Sequence, residues 1–471
     1  MRFAHHDVGA GLLAAAALGG GLSASAVAQT FLPVETYTIP ANPAHVIAAD
    51  FTGDGRLDVG VACRVLSATQ GQVGILVQNV GGTLNAVSTR TWPLVRRPEH
   101  LNAMNINFSG PIDLVVADGS GPLVALHSNG TGNIGAWQEN EDLTLFYQVG
   151  EGANQSTGFI INTIANALIA TGVGTNGRLH ARVGDGDGTY EGFFQTPEIE
   201  LGNGAFPMAR GRLDSGPLED DLVVCISTSN IVKVFMYKGF VMCSDICWRG
   251  YTYAGACPLG PGETAPPDVV VGSGPIGVVL DHFNPAADAH TDMAVLCSGD
   301  NTVRVFRGNG NGTFVATQTI SVGSPVRAIA SGDLNRDNRA DLVVAVDPAA
   351  GNGSVRVYIN NGSGTFSLGP VLTVPVDPTS VALADVSGDG LRDVIATSQN
   401  GPAGNLLVFR NSSPAACLAN FDGVGGVQVN DIFAFLTAWF AGFPAADLNQ
   451  NGSNDVPDIF QFLTLWFAGC P

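Results

Sequence analysis

Short apolar runs recur along the chain, each starting at the same kind of polar anchor. Asp58-Val-Gly-Val-Ala62, Asp341-Leu-Val-Val-Ala345 and Asp393-Val-Ile-Ala396 are the clearest copies. Asp113-Leu-Val-Val-Ala117, Asn166-Ala-Leu-Ile-Ala170, Asp221-Leu-Val-Val-Cys225 and Asp292-Met-Ala-Val-Leu296 are weaker ones. Runs this short, rich in Val and bounded by Gly, Asn and Asp, read as buried strands. A second strand pair around a glycine turn belongs to each unit, as in Val303 to Phe314, Val355 to Phe366 and Arg178 to Tyr190. The anchors at 58, 113, 166, 221, 292, 341 and 393 are spaced by 55, 53, 55, 71, 49 and 52 residues. The long interval contains Cys243, Cys247 and Cys257, so residues 238–268 form an insertion within one unit.

Four short strands in each of seven repeats predict a mainly β, seven-bladed β-propeller. The last repeat stops at Leu406-Leu-Val-Phe-Arg410, without the strand and Pro-containing link that end the others. Phe31 to Pro40 has that missing pattern, so it is expected to complete the last blade and protect both ring edges. Over residues 30–413 the repeats resemble the FG-GAP/VCBS repeats of integrin-α-like propellers.

Composition sharpens this picture. Glycine (61 of 471 residues) and a low charged fraction (13%) suit strands joined by tight turns. The net charge of −20 argues against nucleic-acid binding. Residues 1–28 read as a signal peptide: Arg2, an apolar stretch from Gly11 to Leu22, then Ala26-Val27-Ala28 before Gln29. That stretch is too short to span a bilayer and no later one is long enough either, so the mature chain is expected to be exported, extracellular, cell-surface or periplasmic, with no transmembrane segment. Export permits disulfides. One is expected within the 243–257 stretch, while Cys63, Cys225 and Cys297 read as small buried residues.

The anchors close a spacing with a chemical reason. Calcium takes six to eight oxygens, and alternate residues of a tight loop aim theirs inward. Candidate ligands are Asp50, Thr52, Asp54 and Asp58 with the carbonyl of Arg56. A second loop offers Asp333, Asn335, Asp337 and Asp341 with the carbonyl of Arg339. The third offers Asp385, Ser387, Asp389 and Asp393 with the carbonyl of Leu391. Asn105, Asn107, Ser109 and Asp113 keep the register with a single charge. The repeat at Asn166 has no such loop, and those at Asp214–Asp221 and Asp281–Asp292 have altered lengths.

A different duplication, offset by 27 residues, ends the chain. Asp431-Ile-Phe-Ala-Phe-Leu-Thr-Ala-Trp-Phe-Ala-Gly442 recurs from Asp458 to Gly469 at helical spacing. Asp447 to Asp458 before the second helix is an EF-type twelve-residue loop with Gly452 at position six. Residues 417–471 resemble a dockerin, and the flanking cysteines resemble planctomycete-type dockerins. That resemblance implies Asp447, Asn449, Asn451, Asp455 and Asp458 as ligands, with Ser453 through its carbonyl, and a cohesin-like or cell-surface partner. In the first loop Asn420, Asp422 and Asp431 remain, while Val424 and Gln428 replace charged ligands. Cys417 and Cys470 bracket the segment, and a disulfide between them would stabilise it by roughly 4 kcal/mol. Phe433, Phe435, Trp439, Phe460, Phe462, Trp466 and Phe467 exceed what so small a core needs, so some are expected to face a partner.

No catalytic constellation is present. Gly172-x-Gly174-x-x-Gly177 lies between strands and opens no helix. Pro43, Pro98, Pro207, Pro275, Pro325 and Pro378 precede the innermost strands, which places His45, His100, Ala209, Gly277, Arg327 and Ser380 at the mouth of the central channel. His45, His100, Arg327 and Ser380 are candidates for binding a glycan or protein ligand. The sequence therefore reads as an exported, calcium-binding adhesion or scaffold propeller with a dockerin-like attachment module. The alternatives are a dockerin-bearing polysaccharide lyase or glycoside hydrolase, and a structural surface-layer protein.

Overall fold

The apolar runs are uniform because both faces of each strand they form are covered. In Asp341–Val346, Leu342, Val344 and Val346 pack with Ala294, Leu296 and Val303 of the preceding sheet. Val343 and Ala345 face the other way, onto Val394, Ala396 and Leu407 of the following one. Alternation across a strand thus supplies two inter-sheet cores at once. The computed structural model describes residues 29–64, 71–91, 97–106, 110–118, 124–140, 152–160, 166–173, 178–183, 199–201, 205–214, 221–241, 245–248, 265–284, 290–348, 351–375, 377–400, 403–412, 419, 421, 427–441, 446, 448 and 454–469. The expected signal peptide and the cysteines at 243, 257, 417 and 470 lie outside them.

The fold is a mainly β propeller with two C-terminal helices. Its strands pair into four-stranded antiparallel sheets. One runs from Pro43–Ala49 outward to Ser88–Thr91, and another from Pro98–Met104 to Gln138–Asn140. Ala205–Gly211, Asp221–Ile226, Ile231–Phe235 and Val269–Val270 form a third. Pro275–Asp281 to Phe314–Ser321 and Val326–Gly332 to Phe366–Val374 form two more. Pro378–Ala384, Asp393–Asn400, Ala403–Phe409 and Glu35–Ile39 form a sixth. Side chains are described in these six. A further four-stranded sheet, Gly152–Ile160 to Ile199–Glu200, is described in its backbone pairing.

Glu35–Ile39 is the outermost strand of the sheet that contains the last repeat, with Glu35 opposite Val408 and Ile39 opposite Gly404. The two ends of the ring are thereby hydrogen-bonded into one sheet. Leu32 N–H and Ser412 N–H add bonds to Arg410 O and Thr30 O, at 2.9 Å each. The insertion leaves its sheet between the third and fourth strands. It begins as a hairpin, Tyr237–Val241 with Asp245–Trp248, before Val269–Val270 pairs back onto Ile231 and Val232.

Innermost strands stand side by side. Pro98–Met104 packs against Pro43–Ala49, which packs against Pro378–Ala384, followed by Val326–Gly332, Pro275–Asp281 and Ala205–Gly211. Each carries a one-residue bulge near its start. The bulges correct the proline register read from the sequence. Pro43, Pro98, Pro275 and Pro378 pair with the end of the second strand, but Pro325 precedes the pairing and Val326 takes that place. Arg327 is therefore the bulged residue, equivalent to Ala44, Glu99 and Thr379, and Ala328 is the equivalent of His45. Pro207 is itself a bulged residue, so Met208 and not Ala209 fills the matching position. A single-residue slip of this kind reverses the side a side chain takes.

The helices are α1 (Val429–Ala441) and α2 (Val456–Ala468). Phe435 and Phe462 stack at 4.2 Å, and Phe421 meets both edge-on. The two helices cross-link reciprocally: Trp439 Nε1 donates to Asp455 O and Trp466 Nε1 to Gln428 O, both at 3.0 Å. Among the described residues no helix is long and apolar enough to cross a membrane.

Candidate functional site

The three acidic loops share one backbone design. Asp50 Oδ1 accepts the N–H of Gly53 and Asp54, and its Oδ2 accepts that of Gly55. Asp385 does the same for Gly388, Asp389 and Gly390. Asp333 takes Asn335, Asp337 and Asn338. The fifth position caps the next turn: Asp54, Asp337 and Asp389 each accept the N–H two residues on, at 2.8–3.0 Å. Two residues per loop need left-handed backbone. Gly53 and Gly55, then Gly388 and Gly390, supply it at φ 74° to 82°. Arg336 and Asn338 adopt it at φ 58°, where a side chain is disfavoured.

The last acid of each loop sits deeper. Asp58 is fully buried; its two oxygens accept Phe51 N–H at 3.1 Å and Gln78 N–H at 2.9 Å. Asp341 takes Leu334 and Asn360, and Asp393 takes Val386 and Asn411. The same clasp recurs without an intact loop: Asp113 accepts Ile106 and Ser128 N–H, and Asp292 accepts Phe283 and Gly308 N–H. Asp221 accepts Leu213 N–H at 2.8 Å. Each carboxylate thus ties the link after the innermost strand to the second strand, and in five sheets also to the end of the third. Sequence reasoning missed this role, although the signal was present. Asp113, Asp221 and Asp292 persist where the loop has lost its charges or its length, so the anchor serves something besides a metal.

Burial pushes several acids of the three intact loops up. It raises Asp58, Asp333 and Asp341, and with repulsion from Asp333 it takes Asp337 to about 6. Asp393 also rises to about 6, by burial and by repulsion from Asp389 and Asp385. Such sets gain from a bound cation. Their oxygens nevertheless already serve backbone amides, and among the described residues no group of three or more His, Cys, Asp or Glu is gathered closely enough to hold a metal. A calcium ion would have to share Asp50, Asp333 and Asp385 with the amides they accept. The donor chemistry, carboxylate and amide oxygens at alternate positions, fits calcium better than a nitrogen- or sulfur-seeking metal. Of the C-terminal candidates, Asp455 and Asp458 are described. Asp458 is fully buried and caps α2 through Asp455 N–H at 2.8 Å. Asp447, Asn449, Asn451 and Ser453 lie outside the described residues.

On the innermost strands a cavity of about 310 Å³ is lined by His45, Arg64, Glu99, His100, Arg327 and Ser380, among others. The rings of His45 and His100 lie against each other, centroids 3.8 Å apart and planes tilted by 36°. Two bonds link neighbouring strands here: Leu101 N–H donates to His45 Nδ1 and Val46 N–H to Ser380 Oγ, both at 3.3 Å. Burial lowers His45 to about 4; burial and the neighbouring His45 hold His100 well below the ordinary value, so both rings are neutral at pH 7. Arg327 is tied to Asp347 at 3.0 Å, and Arg64 pairs with Glu99. The four expected residues thus share one cavity, joined by Arg64 and Glu99. Arg64 extends from the end of the second strand, beyond the proline register that located the others.

Cys63, Cys225 and Cys297 are free and buried. Burial pushes the Cys63 thiol up to about 12, which leaves it inert. On the helices six large apolar side chains face solvent in matched pairs: Val429 and Val456, Phe433 and Phe460, Phe440 and Phe467.

Known proteins resemble parts of this arrangement. Residues 287–344 and 333–396 match the model of the FG-GAP-like repeat. The chain carries FG-GAP-like repeats. No curated protein matches it. Two solved structures of BBS1N in complex with ARL6DN, one soaked with lead and one with mercury, align at 15% identity with a TM-score of 0.51. They cover 82% of this chain and 99% and 98% of theirs, which is a likeness of fold. Sqt1 of Saccharomyces cerevisiae aligns at 11% identity over 82% of this chain and 98% of its own, with a TM-score of 0.45.

Proposed function

We propose that the FG-GAP-repeat propeller is an exported, calcium-stabilised binding or scaffold module, attached to a partner through a dockerin-like helix pair. The observation that carries this reading is the shared loop design at Asp50, Asp333 and Asp385. Three loops hold the same turn although their sequences differ at the left-handed positions. In this reading calcium supplies the counter-charge that the raised carboxylates lack, and the residues named in the three loops hold it. The ring has seven blades, with the Gly152–Glu200 sheet as the third. Its Gly152–Ile160 strand packs against both Pro98–Met104 and Ala205–Gly211, which supports that place.

Ligand binding belongs to the channel cavity, where His45, His100, Arg327 and Ser380 offer polar groups to a glycan or a protein segment. The propeller similar to this one in the BBS1N structures is bound to ARL6DN, a precedent for protein binding on this fold. The exposed phenylalanines of α1 and α2 support attachment to a cohesin-like or cell-surface protein. Isothermal calorimetry of the full chain with calcium tests the metal. A glycan array probed with wild type and with the His45→Ala, His100→Ala, Arg327→Ala triple variant tests the cavity. Binding by wild type and its loss in the variant are expected; equal binding by both contradicts the assignment.

A further inference from the structure

Arg336 occupies the fourth position of the Asp333 loop, where the other two loops have Gly53 and Gly388. Its backbone takes the left-handed conformation those glycines take, φ 58°, although a side chain is disfavoured there. The side chain leaves its own loop altogether. Its Nη2 donates to Asp389 O at 2.7 Å and its Nε to Gly390 O at 3.2 Å, both in the Asp385 loop of the neighbouring sheet. Gly390 leaves room for this approach: a Cβ there would lie 2.5 Å from Arg336 Nη2, so the guanidinium would have to shift. The contact therefore joins the centres of two acidic loops. On one side it is flanked by Asn335 and Asp337; on the other it holds the carbonyls beside the Asp389 carboxylate and the Leu391 carbonyl.

We propose that Arg336 is a positioning residue that couples the two loops, so that occupation of either by calcium raises the affinity of the other. The inference rests on the calcium reading above. A planar guanidinium that bonds two successive carbonyls fixes the turn at Asp389–Gly390 more tightly than one bond would. Closing the Asp385 loop around a cation places those carbonyls, and through them the Arg336 backbone between two donors of the Asp333 loop. The effect is reciprocal, because a coupling free energy between two binding sites is the same in both directions. The Asp50 loop, with Gly53 in this position, has no such arm.

Hydrogen exchange with mass spectrometry, followed along a calcium titration of the full chain, reads each loop separately. Weakening the second loop by Asp389→Asn is expected to raise the calcium midpoint for protection of residues 333–341 by about fivefold. In the Arg336→Gly background, which keeps the left-handed turn, the same substitution is expected to leave that midpoint unchanged. Arg336→Lys keeps the charge without the fork and is expected to lose most of the coupling. An equal shift with and without Arg336, or no shift in either, overturns the coupling while leaving calcium binding intact. Absence of calcium-dependent protection in both wild-type loops overturns the calcium reading, and the coupling with it.

Discussion

The guanidinium of Arg410 grips the carboxylate of Glu35, 375 positions earlier in the chain, and its Nη2 also bonds Gly82 O. The pair sits where Glu35–Ile39 joins Ala403–Phe409, and Tyr37 Oη adds a bond to the same carboxylate at 2.8 Å. Arg410→Ala is expected to cost on the order of 1–2 kcal/mol, because the pair is only partly screened from water. Removing residues 30–40 is expected to lower the melting temperature far more. An unchanged value after that deletion would contradict closure of the ring by this strand.

A buried carboxylate that serves two backbone amides cannot be truncated without leaving both donors unmet. Asp393→Ala is expected to cost about 2–5 kcal/mol. Asp393→Asn, which keeps one acceptor, is expected to cost less. Urea unfolding in the presence of chelator separates this role from metal binding: if the loss appears only with calcium present, the clasp is not structural.

These clasps show how far the sequence could be read. Strand identity, the closing strand and the turn glycines follow from local chemistry, so they were legible. What Asp58, Asp341 and Asp393 touch depends on neighbouring segments up to 20 residues away, and a ligand spacing looks the same whether its oxygens meet calcium or amides. Arg327 reaches the same cavity from the bulged position, one residue before the place its proline spacing implies, because Val326 and not Pro325 starts the pairing. The arm of Arg336 was invisible for a similar reason. Its partners stand in the next sheet.

The imidazole pair gives the fold an acid-sensitive seam. His45 has its folded value lowered to about 4, while the unfolded chain takes up the proton near 6.5. Between those values the unfolded state binds more protons, so the His45 contribution to stability rises with pH and is complete above about 6.5. Relative to His45→Phe, wild type is expected to lose about 1–2 kcal/mol between pH 7 and pH 5. Parallel stability profiles for the two proteins would show that burial does not hold His45 neutral.

Solvent-facing aromatics on two helices are a surface feature, not a core one. Substituting Phe433 or Phe460 with Ser is expected to change stability by less than about 0.5 kcal/mol each, while Phe440 and Phe467, edge-on to Trp439 and Trp466, are expected to cost about 0.5–1.5 kcal/mol each. Calorimetric unfolding checks this. Large destabilisation would place these rings in packing and remove the docking surface.

Differential scanning calorimetry of the full chain, with calcium and with excess chelator, tests the central claim most directly. Each occupied loop adds about 2.7 kcal/mol when calcium is a hundredfold above its dissociation constant. The account predicts a melting temperature several degrees higher with calcium, a gain that falls when Asp54, Asp337 and Asp389 are changed together to Asn. Identical melting curves with calcium and with chelator would contradict it.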